Sequence, residues 1–546
     1  MKLNSLGIVI GALVWCSAAA LAAQPAGPAS GTNSNNSSSP DGRLVQRLMT
    51  PMSSVTHGTV SVEGRSVSYD AVAGTLVVDG TGNDESKPEV AIGYFAYFKQ
   101  GADASKRPIT FIYNGGPGSS TMWLHMGAWG PKRVVTNDDT HTPAAPYQVV
   151  NNDYSLLDVS DLVFIDMPGT GFGRLLPQGA DDAARAKSHK ELAKKIWGVD
   201  GDGQAFSRFI TQFLTQHDRW NSPKYLYGES YGTTRSAVLA YILEHQDLVD
   251  LNGVILQSQI LNFGTSVDGA DRDPGNDLPY VLTLPTYAAT AWYHHKLPKY
   301  DGGSLRAVID AAIKFAKGDY QQALFAGSTL SADRKQQVAQ GLHDLTGLSV
   351  AYLLKADLRV TGGMFYQELQ NDAGLTTGRL DSRFSAPSMD VLSKTAQGDP
   401  QSAAISSAYV AAANNYIRTE LKFGQDLKYR PWVRGADDFQ WDSSHRQPGS
   451  NFPSRSALNV MPDLAAAMKY NPDLKVMLNE GFYDVATPFY NATYEEEHLQ
   501  IPDSLRSNIS YAYYPSGHMI YSHLPSLKAL HDNVAKFIEE SSSQKH

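Results

Sequence analysis

The chain has 546 residues, of which 18% are charged, with a net charge of −9 and one cysteine. The length exceeds an ordinary compact domain but suits one large α/β domain carrying an insertion. Charged residues fall below the roughly 25% typical of globular proteins, and the negative charge is spread without long runs, so the sequence offers no basic face for nucleic acid.

Met1 to Ala23 begins with Lys2, continues in an apolar run from Leu6 to Val14 and ends in Ala20-Leu21-Ala22-Ala23. That layout predicts a cleavable secretory signal at residues 1–23, because the apolar run is shorter than the roughly 18 residues a membrane span needs. Export to the periplasm or outside the cell is expected. Cys16 lies inside this segment, so the mature chain would have no disulfide and would depend on a large core. Nor does any later segment suit a membrane span.

Residues 24–43, rich in Pro, Gly, Asn and Ser, predict a disordered leader, with order beginning near Leu44. From Val55 to Phe98 apolar residues alternate with polar ones between Gly- and Asp-containing turns, the pattern of antiparallel strands. Buried strands then alternate with helices: Ile109 to Tyr113, Asp161 to Asp166, Tyr225 to Tyr227, Leu251 to Leu256, Leu474 to Leu478 and Ile509 to Tyr514. This predicts an α/β fold with a mostly parallel central sheet. The Leu256 to Leu474 gap predicts an insertion, residues 265–455 from Thr265 to Arg455, helical in pattern at Leu305 to Ile313 and Tyr409 to Ile417 and read as a cap. The core would then comprise residues 44–264 and 456–546.

Gly228-Glu229-Ser230-Tyr231-Gly232 follows one of these strands and precedes a helical stretch. A G-x-S-x-G turn in that setting holds a serine strained and exposed at the top of the sheet. A nucleophilic serine needs a base and a group to orient it, and both should come from the carboxyl ends of later strands. Asp484 follows the Leu474 strand and His518 follows the Ile509 strand, in the Ser, Asp, His order of an α/β-hydrolase. An oxyanion hole also needs backbone N–H groups from an earlier loop. Asn114-Gly115-Gly116-Pro117-Gly118-Ser119-Ser120 supplies that loop, and since Pro117 has no N–H the donor must be a neighbour such as Gly116.

Taken together, NGGPGSS, NNDYSLLDVSDLVFIDMPGTGFG, GESYG, the GFYD segment and PSGHM resemble the serine carboxypeptidase family over roughly residues 90–264 and 455–540. The resemblance implies Ser230 as nucleophile, His518 as base, Asp484 as its orienting partner and the amides of Gly116 and Tyr231 as oxyanion donors. It also implies that Asn114 and Glu229 hold the substrate's terminal carboxylate. Glu229 could do so only when protonated, which favours acidic pH. Three positions depart from the family pattern: Ser119 replaces a cysteine, Ile112 a tryptophan, and Ala128 an acidic residue ahead of Trp129-Gly130-Pro131.

The expected protein is an exported serine-type carboxypeptidase acting on peptides with a free C-terminus, without cofactor or metal. An esterase or acyltransferase with the same triad is the alternative. Asp200-Gly201-Asp202-Gly203 reads as a turn, lacking the later acid of a calcium loop. His294-His295 reads as structural, within a Tyr- and Trp-rich helix. Glu495-Glu496-Glu497-His498 reads as a solvated helix face.

Overall fold

Alternation of more and less buried side chains, as at Val67, Tyr69 and Ala71, marks β1 (Met52–Val62) and the first half of β2 (Arg65–Asp79), whereas the antiparallel β3 (Pro88–Lys99), expected to alternate as well, is buried from Val90 to Tyr97 because its two faces enter two different core clusters. The computed structural model describes residues 40–79, 87–433, 439–454 and 456–543. The expected signal sequence, most of the expected leader and Arg455 lie outside these residues. A helix, Pro40–Leu48, covers the end of the stretch read as a leader.

The parallel strands follow: β4 (Ile109–Tyr113), β5 (Asp161–Ile165), β6 (Lys224–Glu229), β7 (Gly253–Gln257), β8 (Lys475–Gly481) and β9 (Ile509–Tyr514). They join the first three in a ten-stranded sheet of order β1-β2-β3-β5-β4-β6-β7-β8-β9, with the short Arg174–Leu175 strand added on β3. Every junction from β5 to β9 is parallel, whereas β3 meets β5 antiparallel. Strands β4 and β5 are buried along their whole length, as continuous apolar runs require when helices cover both faces. Helices α1 (Val199–Gln216) and α2 (Tyr231–His245) pack against the sheet with one cluster of buried residues, and the C-terminal helix Leu524–Ser542 belongs to the other. This is the α/β-hydrolase arrangement.

The stretch between β7 and β8 is mostly helical and packs in two places. Helices Leu278–Tyr293, Leu305–Phe315 and Ala332–Thr346 enclose an apolar core of their own around Tyr287, Leu342 and Phe365. Helix Pro400–Thr419 instead turns Ile405, Tyr409, Ala412 and Tyr416 into the core on one face of the main sheet, beside Tyr97 and Phe164. That i, i+4, i+7, i+11 spacing is one helix face. Among the described residues no helix is long and apolar enough to cross a membrane.

Candidate active site

Ser230 sits between β6 and α2 with φ 62° and ψ −130°, a backbone conformation that few L-residues adopt and that turns the chain sharply. Its N–H donates to the Gln257 carbonyl at 3.0 Å, and its own carbonyl accepts from Thr233 N at 2.8 Å. The flanking glycines are explained by crowding: a Cβ on Gly228 would lie 2.1 Å from the Gly232 carbonyl oxygen, and one on Gly232 would lie 2.9 Å from the Tyr113 oxygen.

The Asn114 to Ser120 loop lies directly against this turn. A Cβ on Gly115 would come within 2.4 Å of Tyr231 N, so nothing larger than glycine fits. Among the described residues neither the Gly116 nor the Tyr231 amide donates a hydrogen bond. Two N–H groups are thus left beside the serine.

His518 Nδ1 is 2.7 Å from Asp484 Oδ2. Asp484 Oδ2 also accepts the Thr487 hydroxyl at 2.7 Å, while Oδ1 accepts the Ala486 and Thr487 amides at 2.9 and 3.0 Å. Burial alone would lower the His518 pKa, but the charge and hydrogen bond of Asp484, with the Glu229 charge, raise it above its ordinary value. Among the described residues the Ser230 hydroxyl makes no hydrogen bond. Nucleophile–base contacts commonly tighten only when substrate is bound.

Asn114 and Glu229 meet. Asn114 Nδ2 donates to Glu229 Oε1 at 2.7 Å, and the orientation of the amide is set by Leu124 N donating to Asn114 Oδ1 at 3.1 Å. Burial pushes the Glu229 carboxyl up to about 7, against lowering by the His518 charge and by Tyr521 and Asn114. The Tyr521 hydroxyl faces this carboxyl but has no partner at ordinary hydrogen-bond length among the described residues. Ile112 and Ala128, two of the departing positions, are both buried in the apolar core.

Several contributors have no local sequence signal. Gln257 Nε2 bonds Glu229 Oε2 at 2.9 Å and the His518 carbonyl at 3.2 Å. Arg235, on α2, pairs with Asp202 on α1 at 2.6 Å, donates to the Asn114 carbonyl at 2.8 Å and stacks over Phe206 at 4.3 Å. The long insertion supplies two straps. Residues 379–384 bond the loops that carry Asp484 and His518: Val485 N donates to Arg379 O at 3.1 Å, His518 N to Leu380 O at 2.7 Å and Ser382 N to Tyr483 O at 2.9 Å. Residues 430–433 pair with the glycine loop through Ser120 N to Pro431 O at 2.8 Å and Val433 N to Gly118 O at 2.9 Å. The Trp432 ring stacks on Trp123 at 6.2 Å. Thr487, also missed by the sequence reading, does carry a local signal, since Asp484-Val485-Ala486-Thr487 has the spacing by which an acid binds nearby backbone amides.

Three expectations are corrected or refined. Asp200 to Gly203 is the first turn of α1 rather than a free turn: a Cβ on Gly201 would lie 2.0 Å from the Lys195 carbonyl, and Asp202 is committed to Arg235. His294 and His295 fall just past the end of helix Leu278–Tyr293, where His294 Nε2 lies 2.6 Å from the Ser382 carbonyl in a structural contact. Glu495 and Glu496 are buried, not solvated. Glu495 accepts the Leu261 and Asn262 amides at 2.9 and 3.2 Å and the Thr265 hydroxyl at 2.8 Å, so it satisfies the backbone where the chain leaves β7.

Residues 84–280 match the family model described as Peptidase S10, serine carboxypeptidase. Over 163 residues the chain is 29% identical to a carboxypeptidase Y homolog of Arthroderma benhamiae, an alignment covering 30% of this chain and 26% of that protein. The chain therefore matches about a quarter of that relative's length. Among solved structures it is similar to Kex1(Δ)p, a prohormone-processing carboxypeptidase from Saccharomyces cerevisiae, at 14% identity and TM-score 0.49, covering 86% of this chain and 91% of that one. It is also similar to a proline iminopeptidase of Mycobacterium smegmatis at 13% identity and TM-score 0.32, covering 89% and 99% of the respective chains.

Proposed function

For a chain whose residues 84–280 match the serine carboxypeptidase family, we propose an exported serine-type carboxypeptidase that removes C-terminal residues from peptides. The observation that carries the reading is the Asn114–Glu229 hydrogen bond of 2.7 Å, buried beside the strained Ser230 turn. A carboxyl there is of use to an incoming carboxylate only as a proton donor, and burial favours the protonated form.

Ser230 attacks the last peptide carbonyl while His518 takes its proton. The developing oxyanion is received by the Gly116 and Tyr231 amides. His518 returns the proton to the leaving amino acid, water then attacks the acyl–Ser230 ester, and the cycle closes with Ser230 restored. Asp484 fixes the imidazole tautomer through Nδ1, and the two amides on its other oxygen hold the carboxylate in place. Asn114 and the protonated Glu229 bind the free carboxylate, which makes the enzyme an exopeptidase. The straps at residues 379–384 and 430–433 make the insertion part of the site wall, and it would exclude proteins folded at their ends. The signal-like residues 1–23 support export to the periplasm or beyond.

Incubating an unblocked decapeptide with the purified protein and following mass tests this. Stepwise loss from the C-terminus, abolished in Ser230→Ala, is expected. Loss from the N-terminus or internal cleavage would refute it, and turnover of simple esters alone would move the protein to the esterases or acyltransferases.

A further inference from the structure

Gln257 is the last residue of β7, fully buried, and pairs in register with Glu229 of β6 and Asn479 of β8. Its side-chain oxygen accepts the Tyr227 hydroxyl at 2.6 Å, which fixes the orientation of the amide. Both hydrogens on Nε2 are then committed, one to Glu229 Oε2 at 2.9 Å and one to the His518 carbonyl at 3.2 Å. Its main-chain oxygen accepts Ser230 N at 3.0 Å. One residue therefore touches the nucleophile's backbone, the acid beside it and the backbone of the base. A buried amide with every donor and acceptor satisfied has one orientation available, because any other leaves polar groups unpaired.

We propose that Gln257 is a positioning residue that ties recognition of the substrate's terminal carboxylate at Glu229 to the placement of His518. The inference rests on the carboxypeptidase reading above. Asn114 holds one Glu229 oxygen and Gln257 the other, so the carboxyl is presented in a fixed plane to the incoming carboxylate. The second Gln257 bond fixes the main chain that carries the imidazole, a task shared with the Ser258 hydroxyl at 2.7 Å from the same carbonyl. The groups facing Glu229 are the charges of His518 and Asp484 and the phenols of Tyr227, Tyr409 and Tyr521. An amide donor aimed at the carboxylate form favours ionisation, so its removal should raise the Glu229 pKa further.

The test compares wild type, Gln257→Leu and Gln257→Glu on an N-blocked dipeptide and its C-terminal amide across pH, with thermal melting as a fold control. In Gln257→Leu the free-acid to amide ratio of kcat/KM should fall roughly ten-fold, chiefly through KM, and the alkaline limb of the free-acid profile should move up by about one pH unit. Gln257→Glu, which keeps the shape, should move that limb further up through like-charge repulsion, and it carries the test if the leucine variant does not fold. Variants that lose melting temperature but keep the wild-type ratio and limb would overturn the inference. A wild-type enzyme with no preference for the free acid would overturn the carboxypeptidase reading itself.

Discussion

His518 Nδ1 and Asp484 Oδ2 stand 2.7 Å apart, and the loops that carry them are bonded to one strap of the insertion, residues 379–384. Asp484 follows β8 and His518 follows β9, adjacent parallel strands whose carboxyl ends lie side by side. The strap supplies main-chain acceptors to both loops, so the pair is held by the sheet below and by the insertion above. Replacing the carboxylate with an amide keeps the shape but reverses a donor, leaving the imidazole in the wrong tautomer. Asp484→Asn should lower kcat by roughly 10⁴-fold with little change in KM, measured by steady-state kinetics. A loss below ten-fold would mean Asp484 is not the orienting group.

On the proposed mechanism Glu229 and His518 set the pH dependence together. The proposed mechanism needs Glu229 protonated to bind a carboxylate, a state present below its value of about 7 and lost above it. The base needs neutral His518, which is gained as pH rises through a value above the ordinary one. Because the two groups face each other, the apparent values belong to the pair. The kcat/KM profile on a free-acid dipeptide should be bell-shaped and should fall above about pH 7. Glu229→Gln should remove the alkaline fall while keeping the acid limb. If the fall persists in that variant, another group controls it.

Stability should decline as pH rises. Burial pushes Asp166 and Glu495 up to about 7 and Glu244 and Glu496 up to about 8, and raises Glu480 well above its usual range. Each holds its proton in the folded state at pH values where the unfolded chain releases it, so the folded state is favoured at low pH and loses that advantage from the unfolded values near 4 up through the folded ones. His445 acts in the same direction: against its desolvation, Asp200 and Asp463 push it up to about 9, and its contribution is complete below its unfolded value and lost through the folded one. Melting temperature should therefore fall between about pH 5 and pH 9, and Glu496→Gln should flatten the slope. A melting temperature constant over that range would contradict this.

Arg235 and Asp202, at 2.6 Å and both buried, join α1 to α2 behind the serine turn and reach the Asn114 carbonyl. Removing one partner strands a buried charge, at a cost of roughly 3–5 kcal/mol. Asp202→Ala should reduce stability by that order in denaturant unfolding and should also raise KM for free-acid peptides, because Asn114 loses its backing. Replacing both residues by apolar ones of similar volume should recover stability more than KM. Recovery of both together would mean the pair has no part in placing Asn114.

The central sheet is legible because β4 to β9 are short apolar runs, four of them closed by Asn114, Asp166, Gly228 and Asn479, and because Ser230, Asp484 and His518 all follow strand ends. The glycines at 115, 228 and 232 are legible too, since only crowding or strain requires so many together. Gln257 and Arg235 are not: each acts on residues distant in the chain, and a glutamine ending a strand or an arginine in a helix carries no local signal. Glu495 and Glu496 misled for a physical reason, as a run of three acids normally reads as solvated, whereas here the helix packs where β7 ends and the first acid accepts backbone amides that would otherwise be unpaired. The straps from the insertion are invisible to pattern because they bind through main-chain groups, which any side chain can accompany.

Hydrolysis of an N-blocked dipeptide and of its C-terminal amide near pH 5.5, by the protein and by Ser230→Ala, tests the central claim most directly. The free acid should be cleaved with kcat/KM at least roughly ten-fold above the amide, and Ser230→Ala should cleave neither. Equal cleavage of acid and amide would contradict carboxylate recognition by Asn114 and Glu229, and cleavage surviving in Ser230→Ala would contradict the nucleophile.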